Sequence, residues 1–143
     1  MTKRRLWTVT GGVVTAVVAL CALLIAGSGE EEPGTVLTGS SDHYDVRVRL
    51  DLLTTTATTT ADIEVTGRGR DPGDLGGVSV EAVMERMGHA MPPLAAEALG
   101  DGRFRARGQL FVMAGEWELG VRLRTAHGAS ELATVTVVVP SGP

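Results

Sequence analysis

The chain has 143 residues and a mass of 14.9 kDa, with 43% hydrophobic but only 3% aromatic residues and a formal net charge of −4. A single Cys excludes an internal disulfide framework and a Cys-based structural zinc site. The acidic balance argues against a nucleic-acid partner, and so apolar a composition excludes a disordered chain.

Residues 6–26, LWTVTGGVVTAVVALCALLIA, carry no charge. As a helix they span roughly 30 Å, the hydrocarbon thickness of a bilayer. Lys3, Arg4 and Arg5 stand just before them. The positive-inside rule keeps residues 1–5 in the cytoplasm and exports the rest. A cleaved signal peptide is the competing reading, with Ala26 and Ser28 at the −3 and −1 positions. The apolar run exceeds the usual signal core of about 7–15 residues, which favours a single-pass anchor in the cell membrane. Cys21 lies inside this run behind Leu20, which is too large for a lipidation site, so it reads as an apolar helix residue. All 17 acidic residues and 10 of the 13 basic ones follow the run, leaving the exported part at −7.

Residues 27–41, rich in Gly, Ser and Glu, have the composition of a linker. From residue 42 to 143 the pattern becomes alternating. Tyr44, Val46, Val48 and Leu50 alternate with charged residues, as a half-buried strand requires. The run Thr54–Thr60, interrupted by Ala57, reads as a solvated loop entering a Thr-rich edge strand. Ala61, Ile63 and Val65 form the inner face of a second strand, and Arg68–Asp74 is a turn. A third strand runs from Val78 to Met84, and Leu94–Leu99 is short enough for one helical turn. Phe104, Ala106, Leu110 and Val112 alternate along a fourth strand, followed by a tight Ala114-Gly115 connection. Trp117, Leu119, Val121 and Leu123 form the next, and Leu132–Val139 the last. Six to seven short strands in about 100 residues predict an all-β, immunoglobulin-like antiparallel β-sandwich behind one transmembrane helix.

The stretch 84–93, MERMGHAMPP, concentrates the chemistry. Three of the four Met beyond the initiator fall here, with His89 between two of them. Thioether sulfur selects Cu(I), and imidazole suits either copper oxidation state. Met87, His89 and Met91 are therefore candidate copper ligands, with Met84, or Met113 from a neighbouring strand, completing the site. In a straight strand Met87, His89 and Met91 would share a face but stand about 6.6 Å apart. Metal–ligand bonds are only about 2.0–2.3 Å, so the loop must curl, and Gly88 and Pro92 permit that. The competing reading makes Met84 and Met113 core residues and Met87 and Met91 a cover over one end of the sandwich. His43 and His127 stand alone in sequence and read as solvated. No catalytic residues are evident: the exported part has no Cys nucleophile, and no Ser or carboxylate pattern surrounds His89.

The Met84, Met87, Gly88, His89 and Met91 loop is followed by Gly100-Asp101-Gly102 with Phe104, then by Met113, Gly115 and Trp117. In this order they resemble the YtkA-like group, related to FixH-type proteins, over residues 44–139. Glu85 stands where a Pro is common in that loop, and the Thr run is atypical. The resemblance implies a small exported β-sandwich behind an anchor or signal. It also implies copper handling beside a membrane protein complex or metalloprotein, as in respiratory oxidase assembly. Phe104, Phe111 and Trp117 would then support the fold or shield the metal. The alternative function is a metal-free immunoglobulin-like module. It would dock on a membrane complex through sheet faces carrying Arg103, Arg105, Arg107, Arg122 and Arg124.

Overall fold

A computed structural model describes residues 33–142, and the expected membrane segment at 6–26 lies outside these. Nine strands follow in chain order: β1 (Thr35–Ser40), β2 (Tyr44–Leu50), β3 (Thr59–Gly67), β4 (Leu75–Met84), β5 (His89–Ala90), β6 (Leu94–Gly100), β7 (Arg103–Gly108), β8 (Gly115–Thr125) and β9 (Ser130–Val139). The domain is all-β, and each strand pairing is antiparallel.

The period-two alternation decides which way each strand faces. In β2, Tyr44, Val46, Val48 and Leu50 are buried, and Ala61, Ile63 and Val65 do the same in β3. The strand order is β1-β2-β3-β7-β6-β4-β8-β9, with β5 added to β4. β6 makes the corner. Leu94, Ala95 and Ala96 pair with β4, whereas Glu97, Ala98 and Gly100 pair with β7. One strand thus passes from one layer to the other, as orthogonal corners require. The other two edges curl towards each other, and a Cβ on Gly39 of β1 would stand 3.0 Å from the Thr134 carbonyl of β9. The result is a sandwich-like, nearly closed barrel around Trp117, Tyr44, Phe111, Leu50 and Ile63.

Four local expectations change. β1 occupies residues whose composition suggested a linker; the outer edge of β2 supplies its backbone partners, and Leu37 packs on the core. Leu94–Gly100 is a strand and not a helical turn, because both layers offer it a pairing edge. The strand through Phe104 and Ala106 stops at Gly108. Leu110 and Phe111 are consecutive and both buried, which strand alternation forbids, so residues 109–114 cross the end of the core instead. Thr59 and Thr60 belong to β3, which lies between β2 and β7 and is no edge. Thr59 is buried, and its hydroxyl donates to the Leu52 carbonyl at 3.3 Å.

His43 is also less solitary than its sequence context suggests. Its Nδ1 lies 2.7 Å from the Glu131 carboxylate, and its backbone N–H donates to the same group at 3.0 Å. The Ser41 hydroxyl adds a third bond at 2.7 Å, and Arg70 stands 3.7 Å away. This carboxylate ties the β1–β2 turn to the start of β9. Beside it, the Tyr44 hydroxyl is buried, with no hydrogen-bond partner among the described residues. Burial raises the pKa of that phenol, against the lowering influence of nearby Arg70.

Burial alone would raise the Glu131 pKa, but the donors from Ser41 and His43 outweigh it and hold it at about 2. A carboxylate with a depressed folded pKa contributes stability above its unfolded pKa. That contribution is lost as pH falls from about 4.5 towards about 2. Glu131→Gln should cost about 1–2 kcal/mol at neutral pH. It should also flatten the acid limb across that window, as measured by urea denaturation at stepped pH.

Candidate functional site

The Met/His stretch folds as a tight hairpin. β4 ends at Met84, and Glu85–Met87 form one 3-10 turn. Gly88 follows in the left-handed region at φ 59°, and its N–H donates to the Glu85 carbonyl at 3.1 Å. A residue with a Cβ adopts that conformation at a cost, so Gly88 is what lets the chain reverse here. β5 then returns along β4, with His89 opposite Met84 and Ala90 opposite Val83. The Met91 N–H continues the ladder to the Ala82 carbonyl at 2.9 Å.

This register distributes the candidate ligands. Residues directly opposite in an antiparallel pair point to the same face, with Cβ atoms about 4.5–5.5 Å apart. Met84 is buried, so its face is the core face, and His89 and Met91 share it by pairing and alternation. Met91 is half-buried against the core, while His89 stands at the open end. Met87 lies in the turn and is 68% exposed. A straight strand would have grouped Met87, His89 and Met91. The hairpin instead groups Met84, His89 and Met91, with Met87 beside them at the tip.

Trp117 forms the floor. The β4–β8 register runs to Val83 opposite Glu118, and one further step sets Trp117 beside Met84. The His89 ring meets the indole edge-on, with centroids 6.1 Å apart and planes at 85°. Phe111 also meets Trp117 edge-on, with ring centroids 5.6 Å apart and planes at 65°. The indole N–H donates to the Met113 carbonyl at 3.0 Å. Met113 is half-buried against the core, so its backbone steadies the floor. Gly115 has φ 133°, and a Cβ there would stand 3.1 Å from the Met84 terminal methyl. The sequence marks Gly115 only as a tight connection; its second role, leaving room for Met84, needs the third dimension.

The donors present suit a soft cation. Among the described residues, no three His, Cys, Asp or Glu side chains gather to hold a metal. The hairpin offers one imidazole and several thioethers, the set that selects Cu(I) over harder ions. No side-chain hydrogen bond among the described residues engages the His89 ring, which is exposed. His43 is held by Glu131 at the opposite end of the barrel, and His127 is exposed in the turn between β8 and β9. The groove on the outer sheet face, walled by Arg47, Asp62, Glu64, Arg103 and Arg105, does not include the hairpin. Compared with family models, curated proteins and solved structures, the chain matches none.

Gly115→Ala combines a strained φ with a contact on Met84, so it should destabilise the domain by about 1–3 kcal/mol. Urea denaturation monitored by circular dichroism measures this. In a Trp7→Phe background, the fluorescence of Trp117 should shift as its contact with His89 loosens.

Proposed function

We propose that the protein is a membrane-anchored, extracytoplasmic copper-binding module that holds Cu(I) through Met84, His89 and Met91. Met87 stands at the hairpin tip as a further sulfur donor, and Met113 lies on the segment leading into β8. One observation carries the reading: the β4–β5 register turns two thioethers and one imidazole towards a single face, over an indole. The anchor rests on the uncharged run 6–26 and the basic residues before it. The strand order bears on the fold alone, and the resemblance to YtkA-like and FixH-type proteins rests on the sequence motifs. β2-β3-β7-β6 against β4-β8-β9 corresponds to the constant-type immunoglobulin arrangement, with β1 and β5 added.

Copper supplies a soft Lewis acid when bound. The protein's own contribution is the neutral donor set, the restricted mobility of Met84 and Met91, and an indole that excludes water from one side. Neutral thioethers add no negative charge, which favours a monovalent ion over a divalent one. A carboxylate-lined site would reverse that preference.

The test is a Cu(I) titration of the full chain in detergent against a competing chelator. A Cys21→Ser background removes the thiol. Met84→Leu, His89→Ala and Met91→Leu together should weaken binding at least about tenfold, or ~1.4 kcal/mol. Met87→Leu alone should have the smaller effect. If the native chain captures no more copper than the triple variant, the site is not a copper site. The docking function of the Arg-bearing sheet faces would then be the better reading.

A further inference from the structure

The strands sort the loops onto two ends of the barrel. Thr35 of β1 pairs with Leu50 of β2, and Thr59 of β3 pairs with Gly108 of β7, so these four residues mark one end. β4 reaches the same end at Met84, β8 starts there at Gly115, and β9 finishes there at Val139. The Met/His hairpin, the Thr run and residues 109–114 therefore share the end at which the chain enters β1. Gln109 donates to the Thr55 carbonyl across it at 3.1 Å.

Exposed apolar side chains are not spread evenly over this molecule. Six large ones are exposed among the described residues. The four most exposed are Met87 at 68%, Val138 at 63%, and Val36 and Leu52 at 54% each. All four lie at the chain-entry end. Leu99 at 42% and Leu132 at 40% are less exposed and lie towards the other end. The Thr run at the entry end is uncharged, and charges flank the apolar side chains: Glu85 and Arg86 at the hairpin tip, Arg49 opposite Val36, Asp51 next to Leu52 and Glu116 opposite Val138. Apolar side chains clustered at one end of a soluble domain mark a surface that something covers.

We infer that this end rests on the lipid bilayer, with Val36, Leu52 and Val138 dipping into the interface around the Met/His hairpin. The inference builds on the anchored reading given above. The distance permits it: the eight residues 27–34 between the apolar run and β1 reach at most roughly 28 Å when extended. On the anchored reading, a span of that length limits how far the domain can stand from the bilayer, and a few apolar side chains suffice for interfacial binding. The hairpin would then meet donors or acceptors of copper at the membrane surface and not in bulk solvent.

The full chain, in a Cys21→Ala background, is reconstituted into phosphatidylethanolamine–phosphatidylglycerol vesicles. An environment-sensitive fluorophore is placed on Leu52→Cys, Ala57→Cys or Leu132→Cys. Headgroup-nitroxide lipid should quench the labels at 52 and 57 at least about twofold more than the label at 132, as interfacial seating requires. Adding Leu52→Glu and Val138→Glu to the Ala57 reporter should abolish its excess quenching. Equal quenching at 52 and 132, in a chain that resists carbonate extraction, overturns the docking and leaves the anchor intact. A blue-shifted but unquenched label at 52 also overturns it, since protein and not lipid would then cover this end. Release of the chain by carbonate overturns the anchored reading and the docking together, while the copper titration stands apart from both.

Discussion

The burial of Trp117 is the constraint on which the candidate site depends. Its indole is fully enclosed, so its one N–H must find an acceptor, and the Met113 carbonyl supplies it. That bond fixes the path of the segment crossing the end of the core. Phe111 and the His89 imidazole both meet the ring edge-on. The same residue therefore ends the hydrophobic core and begins the polar tip. A smaller side chain at 117 would leave a void under Met84 and remove the surface that positions His89.

Much of this fold is legible in the sequence, because a strand with one buried face writes its orientation as strict alternation. β2, β3 and β8 are of this kind, with Tyr44 to Leu50, Ala61 to Val65, and Trp117 to Thr125 facing inward in turn. The elements that escape are those whose structure comes from neighbours. β1 has a loop composition and becomes a strand by pairing with β2. β6 is mostly exposed, so its side chains carry little pattern, and its identity lies in the two strands it joins. The pair Leu110 and Phe111 mimics a strand until the packing of an end cap is considered.

The candidate site shows the same division. Composition marks the Met and His residues, and Gly88 marks the reversal. Which sulfur pairs with His89 depends on the length of the turn, and no spacing rule within a single strand gives it. A three-residue 3-10 turn places His89 opposite Met84. With one residue more or fewer, His89 would face outward and Ala90 inward, because a single-step slip exchanges the two faces of a strand. The Ser41, His43 and Glu131 cluster escapes for a different reason. Its members lie about 90 residues apart, and only the return of β9 beside the β1–β2 turn unites them.

The near-closure between β1 and β9 has a bearing on how the protein behaves when crowded. An open sheet offers a row of unpaired amides and carbonyls to any passing chain, which is the usual route to edge-to-edge aggregation. In this barrel the two outermost strands face one another across the seam at Gly39 and Thr134, so each hides the edge of the other. A Cβ at residue 39 would press on the Thr134 carbonyl and hold the seam ajar. A single missing side chain thus helps to keep neighbouring copies from adding strands to each other.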